Sequence, residues 1–302
     1  MYGKSVKADS YMSRTYQIKT ELGSGGNGAV YMAWHKRLRK HVVIKVVKNC
    51  LDGTIEIRRN EVEALKNIKS MHIPQVLDFL TGNDHSFTIM EYIEGISFDK
   101  LIKIGLRFTE LRIIKWYCQM ASALDSIHKL DICHRDIKPA NIILTPKGDV
   151  CLIDFNSALV AGNTTRLISR SMGYASPEQY EYFKLCRKAF EDAGNASVDY
   201  IETALLPGDC RTIPIPEERH LCPHSADQIN WQLSDIYSLG ATMFHFLTGK
   251  YPPVRMHEIE CISKLEGYTK GLLEIIERSM SEKPSDRFSS AETLVKALQT
   301  IH

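Results

Sequence analysis

The 302-residue chain is predicted to adopt an α+β fold, in which a small β-rich lobe with one helix precedes a larger, mainly helical lobe. Two patterns of apolar residues predict this division. Up to about residue 92, short runs are either alternating or rich in β-branched residues, which is typical of strands. After Gly95, apolar residues recur at helical spacing.

The β-rich part is expected to hold five strands, which fall at 16–22, through Val30 and Met32, and at 42–47, 76–81 and 86–92. A glycine cluster joins the first two, and the turn Gly82-Asn83-Asp84 joins the last two. Near-helical spacing of apolar residues predicts one helix over 55–69. Residues 1–13 are polar without a period, so we expect a flexible lead-in there.

In the helical part, Thr109 is the expected N-cap of a core helix with the apolar stripe Ile113, Ile114, Tyr117, Met120, Ala121, Leu124 and Ile127. Short strands at 142–144 and 150–153 flank a hairpin turn at 146–149. Helices are expected at 235–249, at 272–280 and from a capping box at Ser289–Glu292 to about 300. Residues 181–231 are predicted to form an extended connection with a helix near 182–192.

Composition excludes several classes of protein. With 38 basic and 36 acidic residues, the net charge of +2 gives no electrostatic case for nucleic acid as a partner. No apolar run approaches the roughly 18 residues of a membrane span. The eight cysteines contain no Cys-x-x-Cys pair, so a reducing, cytoplasmic location is expected. Cys210, His220, Cys222 and His224 match no standard zinc spacing, and we expect no metal there.

The glycine cluster contains a Gly-x-Gly-x-x-Gly pattern within Leu22-Gly23-Ser24-Gly25-Gly26-Asn27-Gly28-Ala29-Val30. A dinucleotide-binding pattern of this kind opens a helix, whereas this one lies between two predicted strands. That context favours a hairpin whose backbone N–H groups approach the phosphates of a nucleotide, because glycine has no Cβ to keep oxyanions away. A plain hairpin turn is the alternative.

Lys45 is a single charge within the apolar strand Val42–Val47. An ammonium group in such a place needs a carboxylate, because an unpaired buried charge is costly. Glu61 and Glu63 on the predicted helix are the candidates, and their register favours Glu61. A lysine that extends its charged end to solvent from a strand edge is the alternative.

The string His134-Arg135-Asp136-Ile137-Lys138-Pro139-Ala140-Asn141 resembles the catalytic loop of eukaryotic-type protein kinases. The strings Ser-Pro-Glu-Gln-Tyr at 176–180 and Tyr-Ser-Leu-Gly at 237–240 most resemble those of bacterial serine/threonine kinases. The resemblance implies that Asp136 orients the attacking hydroxyl and that Lys138 offsets charge on the transferred phosphoryl group. It also implies that Lys45, paired with Glu61, holds the α- and β-phosphates. Asn141 and Asp154 are the implied ligands of Mg²⁺, with Mn²⁺ as an alternative ion.

The same resemblance implies an ATP site and a kinase domain over 14–302. Its expected parts are an N-lobe at 14–91, a hinge at 91–95, a C-lobe at 96–302 and an insertion at about 181–231. The residues implied to contact ATP, besides Lys45, are Leu22, Gly23, Ser24, Gly25, Gly26, Asn27, Gly28, Val30, Met90, Glu91 and Ile93.

An activation segment is implied between Asp154 and Glu178. Asn156 replaces the family's usual glycine, and asparagine tolerates the left-handed backbone that this turn requires. Ser171 stands where the family has a threonine that contacts the catalytic Asp and Lys. Glu178 is expected to pair with Arg287.

Two further roles in the helical lobe follow from the resemblance. Asp235 is expected to brace the backbone of the catalytic loop. Arg135 is expected to bind a phosphate on Thr164, Thr165 or Ser169. The alternative for these hydroxyls is simple solvation of a loop.

The resemblance implies a protein serine/threonine kinase that transfers the γ-phosphoryl group of ATP to protein hydroxyls and also phosphorylates itself. The first alternative is a pseudokinase that binds nucleotide without turnover, which Asn156 and the insertion suggest. A kinase of small hydroxylated metabolites is a weaker alternative, because Arg135, Lys138 and the Ser-Pro-Glu string at 176–178 argue against it.

Overall fold

A computed structural model describes residues 10–25, 28–48, 62–82, 85–155, 157–160, 167–192, 210–214, 229–252, 262 and 265–301. These residues divide into two compact units. The first lies within Met1–Lys69 and Ile73–Glu94, and the second within Ser70–His72 and Gly95–His302. The first is β-rich and the second mainly helical, which confirms the predicted α+β fold class.

The first unit contains a five-stranded antiparallel sheet in the order β1-β2-β3-β5-β4. Its strands are β1 (Tyr16–Gly25), β2 (Gly28–His35), β3 (Lys40–Lys48), β4 (Val76–Thr81) and β5 (His85–Glu91). All five strands predicted from the sequence are present. In β3, the residues Val42, Ile44 and Val46 alternate into the core, because successive side chains of a strand point to opposite faces.

The start of the first unit differs from the sequence prediction. Helix α1 spans Ser10–Thr15, and Met12 is 4% exposed in the sheet's hydrophobic core beside Tyr16. The end of the predicted lead-in therefore holds a helical turn, and the buried side chain of Met12 packs that turn against the sheet. The predicted helix at 55–69 is described only over residues 62–66, which we call α2.

The second unit contains six helices among its described residues, and they are α3 (Phe98–Lys103), α4 (Glu110–His128), α5 (Pro177–Asp192), α6 (Trp231–Thr248), α7 (Lys270–Ser279) and α8 (Ala291–Leu298). A three-stranded sheet has the order β6-β8-β9, formed by Ile96–Ser97, Ile142–Leu144 and Val150–Leu152. Two-stranded sheets pair β7 (Ile132–Cys133) with β10 (Leu159–Val160), and β11 (Leu167–Ser171) with β12 (Cys210–Pro214).

Helices α4 and α6 form the centre of this unit. The predicted stripe on α4 is buried almost throughout, and Thr109 is its N-cap residue, although its side chain accepts no capping hydrogen bond. Helix α6 is buried at Trp231 and at every residue from Ser234 to Leu247, so its apolar character is not confined to one face. Its N-cap is Asn230, whose side chain accepts from the N–H of Leu233, and its C-cap is Gly249, which lies in the left-handed region.

Three sequence predictions in this unit need correction. Helix α6 starts at Trp231, four residues before the predicted 235, because Asn230 provides the cap. The capping box of α8 joins Ser290 and Thr293 rather than Ser289 and Glu292, because Ser290 is the N-cap residue and Thr293 therefore lies at position N3. Residues 210–214, predicted only as part of an extended connection, form strand β12 and pair with β11.

Among the helices described, none is both long and apolar enough to cross a bilayer.

Candidate active site

The start of the loop His134–Asn141 is held in place by one buried carboxylate. Asp235 of α6 is 0% exposed. Its Oδ2 accepts the backbone N–H of His134 at 2.8 Å, and its Oδ1 accepts that of Arg135 at 2.8 Å. Arg135 has a φ of 61°, a left-handed conformation that two hydrogen bonds to a carboxylate can stabilise. The structure thus shows the brace expected of Asp235.

His128, Cys133 and Asp235 are three buried groups whose ligand atoms lie within 4.8 Å of one another. They do not fit a metal ion. Asp235 already accepts two backbone N–H groups and lies 3.0 Å from His128 Nε2. Burial raises the pKa of the Cys133 thiol, which keeps it from the thiolate form that metals require. The cluster is part of the brace.

The carboxylate of Asp136 is the centre of a hydrogen-bond network, and its side chain is only 9% exposed. Oδ1 accepts the hydroxyl of Ser171 at 2.7 Å, and Lys138 Nζ donates to both oxygens, at 3.1 and 2.8 Å. Lys138 Nζ also donates to Ser171 Oγ at 3.1 Å. Asn141 Nδ2 donates to Oδ2 at 3.0 Å. The structure therefore brings Asp136, Lys138, Asn141 and Ser171 together.

Asn141 and Asp154 are brought together by the β8–β9 pairing. Ile142 lies opposite Leu152, and the N–H of Ile153 donates to the carbonyl of Asn141 at 2.8 Å. The amide nitrogen of Asn141 is used by Asp136, while its Oδ1 accepts no hydrogen bond from any residue that the structure describes. An amide oxygen next to a carboxylate is a set of ligands that Mg²⁺ accepts.

The turn after β9 contains a residue in the left-handed region of the backbone. Asp154 has a φ of 65°, and Phe155 packs edge-on against His134 with ring centroids 4.7 Å apart. His134 Nε2 in turn lies 3.1 Å from the carbonyl oxygen of Ile153. Asn156 lies outside the described residues.

In the first unit, Lys45 lies on β3 opposite Val30 and Thr88 and is partly buried. Glu63, one of its two possible partners, is exposed and bonds to Lys66 at 2.7 Å. Glu61 lies outside the described residues, so its pairing with Lys45 stays a prediction.

The glycine hairpin is formed by the ends of β1 and β2, where Gly25 lies opposite Gly28. A Cβ at Gly28 would overlap the carbonyl oxygen of Val46, whereas one at Gly23 would meet nothing within 4 Å. Gly28 is therefore required for the contact between strands, which sequence reasoning did not foresee. Gly26 and Asn27 lie outside the described residues.

The predicted hinge follows directly from β5. Met90 and Glu91 are the last residues of that strand, and the N–H of Glu91 donates to Gln75 at 2.9 Å. The backbone N–H and C=O of the partly buried Ile93 have no hydrogen-bond partner among the residues that are described. Unsatisfied backbone groups of this kind are available to a ligand.

Glu178 and Arg287 form the ion pair expected from the sequence. The guanidinium donates to both carboxylate oxygens, at 2.6 and 2.9 Å, in the bidentate geometry of strong pairs. This pair anchors the end of the activation segment to the residues before α8. Thr164 and Thr165 lie outside the described residues, and Ser169 lies in β11.

Sequence reasoning missed a buried contact next to this segment. The hydroxyl of Tyr174 and Nδ1 of His245 form a hydrogen bond of 2.5 Å. Burial, reinforced by the charge of Arg107, lowers the pKa of His245 from 6.5 to about 4, so its ring is neutral at neutral pH. The sequence shows only that a tyrosine and a histidine are present, and no spacing between Tyr174 and His245 predicts their contact.

The comparisons with known proteins agree with this site. The family model of the protein kinase domain matches residues 16–189. The chain is 28% identical to a probable serine/threonine-protein kinase of Clostridium acetobutylicum, over 96% of the chain and 40% of that relative. It is 25% identical to the serine/threonine-protein kinase PknB of Mycobacterium tuberculosis, over 97% of the chain and 44% of PknB.

A probable serine/threonine-protein kinase of Streptomyces coelicolor is 31% identical over 54% of the chain and 26% of that protein. The chain thus spans about two fifths of the length of the first two relatives and a quarter of the third. The family model itself covers more than half of the chain, from the first strand of the sheet to helix α5. The chain belongs to the protein kinase family.

Proposed function

We propose that the chain is an ATP- and Mg²⁺-dependent protein serine/threonine kinase, which transfers the γ-phosphoryl group of ATP to serine or threonine hydroxyls and phosphorylates itself. The observation that carries this proposal is the network around Asp136. It holds the ammonium group of Lys138 and the amide of Asn141 within hydrogen-bond distance of the Asp136 carboxylate.

Each member of the network has a distinct task in the proposed reaction. Asp136 orients the acceptor hydroxyl and accepts its proton as the oxygen attacks phosphorus. Lys138 now makes two bonds to Asp136, and one is released when an acceptor hydroxyl takes its place. The ammonium group is then available to the transferred phosphoryl group, whose negative charge it offsets.

The residues fit Mg²⁺ and ATP. Asn141 Oδ1 and the Asp154 carboxylate would hold the ion, and the donor set of two oxygens suits a hard cation. The bound ion neutralises charge on the phosphates of ATP. In the first unit, the N–H groups of the glycine hairpin and the ammonium of Lys45 would bind phosphate oxygens. The backbone of Glu91 and Ile93 would bind adenine, and Leu22, Val30 and Met90 would line the adenine pocket.

The choice of serine and threonine over tyrosine as acceptors is supported by the relatives, which are named serine/threonine-protein kinases. It is also supported by Lys138, two residues after Asp136, because a lysine at this place resembles serine/threonine kinases rather than tyrosine kinases.

The test is phosphate transfer from Mg-ATP to a generic basic protein, with acceptor residues identified by mass spectrometry. Asp136→Asn is expected to lower kcat by about 10²–10⁴-fold, because it removes the base without changing the shape of the site. Asp131→Asn is the matched control, since Asp131 is exposed and lies in the preceding turn. That variant should retain the wild-type rate.

Three results would count against the proposal. Undiminished transfer by the Asp136 variant would remove the role given to this residue. Phosphotyrosine as the main product would exclude a serine/threonine kinase. Nucleotide-dependent thermal stabilisation without any phosphate transfer would favour the pseudokinase alternative.

A further inference from the structure

The activation segment pairs with a strand from the segment between α5 and α6. Residues Leu167–Ser171 of β11 lie antiparallel to Cys210–Pro214 of β12, in an unbroken register of five pairs from Leu167–Pro214 to Ser171–Cys210. Nothing in the local sequence of either strand predicts this partner. Paired Cα atoms in such a ladder lie about 4.5–5.5 Å apart, so β12 fixes the path of β11 residue by residue.

The last residue of this ladder is also the residue that contacts the catalytic carboxylate. Ser171 is 3% exposed, donates to Asp136 at 2.7 Å and accepts from Lys138 at 3.1 Å. The backbone of Ser171 is therefore held by Cys210 while its side chain positions Asp136 and Lys138. A displacement of β12 would move Ser171 and so disturb its hydrogen bond to the Asp136 carboxylate.

Arg135, the residue expected to bind an activation-loop phosphate, is occupied by other contacts. It is 3% exposed, and its Nε donates to the carbonyl of Ser157 at 2.6 Å. Its guanidinium carbon lies 5.1 Å from the ring centroid of Trp231, which packs edge-on against Tyr182. Trp231 thus covers the guanidinium of Arg135, which a phosphate would have to reach in order to bind.

We propose that strand β12 positions the activation segment for catalysis by backbone pairing and that this replaces phosphorylation of Thr164, Thr165 or Ser169. The inference rests on the proposed function, because Ser171 matters through Asp136. Strand pairing supplies the order that a phosphate bound to arginine would otherwise supply. Trp231 contributes by burying the arginine that would bind this phosphate.

The first variant to test is Arg211→Pro with Thr212→Pro. Successive residues of a strand direct their N–H groups to opposite sides, so one of these two positions donates to β11. Two adjacent prolines therefore remove a ladder donor whichever position it is. The matched control is Arg211→Ala with Thr212→Ala, which keeps every backbone donor. The second variant, Thr164→Ala with Thr165→Ala and Ser169→Ala, removes the hydroxyls that a phosphate would need.

Hydrogen–deuterium exchange of the amides at 167–171 reads the pairing without reference to activity. We expect the proline variant to lose at least about tenfold in protection there, while α4 and α6 keep theirs. We expect kcat to fall at least about tenfold with the KM for ATP unchanged, because the lesion acts on positioning. The alanine control and the triple alanine variant should stay within about twofold of wild type in kcat, which is a change too small for a lost positioning contact.

Equal protection at 167–171 in the proline and alanine double variants would overturn the pairing. Lost protection with an unchanged kcat would overturn its role in positioning. A triple alanine variant as inactive as the proline variant would show that phosphorylation is required. If the wild-type chain transfers no phosphate, the proposed function fails and the role in catalysis fails with it, whereas exchange still decides whether β12 pairs with β11.

Discussion

Replacing Arg287 should lower the stability of the helical unit by more than the loss of an exposed ion pair would. Its side chain is fully buried, and its guanidinium makes five hydrogen bonds. Two go to the carboxylate of Glu178, and the others go to the carbonyls of Leu233, Ser281 and Glu282 at 2.8 to 3.1 Å. All five N–H donors of an arginine are thus satisfied.

The variant Arg287→Met leaves the Glu178 carboxylate, which is 17% exposed, without its partner. Removing one member of a buried ion pair costs about 3–5 kcal/mol, because the remaining charge is desolvated without compensation. Glu178→Leu with Arg287→Met should recover part of this loss, since no charge is then left unpaired. The free energy of unfolding is measured from urea denaturation, followed by circular dichroism.

The control is Lys296→Met. Lys296 pairs with Glu292 at 2.7 Å, but both side chains are more than half exposed. Exposed pairs contribute about 0–1 kcal/mol, so this variant should unfold almost as the wild type does. If Arg287→Met lies within about 1 kcal/mol of the control, the guanidinium is not the anchor that its bonds suggest.

Three further predictions concern stability. Gly28→Ala should cost about 1–3 kcal/mol, because its Cβ overlaps the Val46 carbonyl, and thermal melts should show it. Asp235→Asn should cost about 2–3 kcal/mol in urea titrations, since an amide leaves one backbone N–H of the catalytic loop unbonded. His245 has a folded pKa of about 4 against 6.5 unfolded, so the unfolded chain takes up the proton first. The contribution of neutral His245 to the free energy of unfolding is fully present above pH 6.5. It is lost as the pH falls towards 4, by about 1.4 kcal/mol per pH unit. His245→Asn should remove this slope.

Each of these three has its own check. Gly23→Ala has open space around its new methyl group, and a cost equal to that of Gly28→Ala would refute the overlap argument. Asp131→Asn is exposed and should change stability little, so an equal loss there would contradict the brace. For His245, urea midpoints at pH 6.5, 5.5 and 4.5 are compared, and parallel slopes in the two proteins would show that another group titrates.

Much of the second unit's site was predictable because its residues are close in sequence. Asp136, Lys138 and Asn141 share one loop, and Asp154 follows β9, which pairs with strand β8 directly after Asn141. The pairing of Glu178 with Arg287 was predictable only from the family resemblance, since no spacing relates these residues. For Lys45, the sequence indicated a carboxylate partner on the helix. Glu63 is exposed and pairs with Lys66, which argues against it as the partner of Lys45 and leaves Glu61 as the predicted one.

The sequence by itself determined the order of strands and helices and the chemical groups of the catalytic loop. Periodicity reports which face of an element is buried, and short motifs lie within one loop. Only the tertiary structure decided that β11 pairs with β12, that Arg135 lies beneath Trp231 and that Gly28 faces the Val46 carbonyl. Backbone hydrogen bonds between distant strands are the same for nearly every residue type, so they leave no pattern in the sequence. The packing of the surrounding elements selects which strands meet.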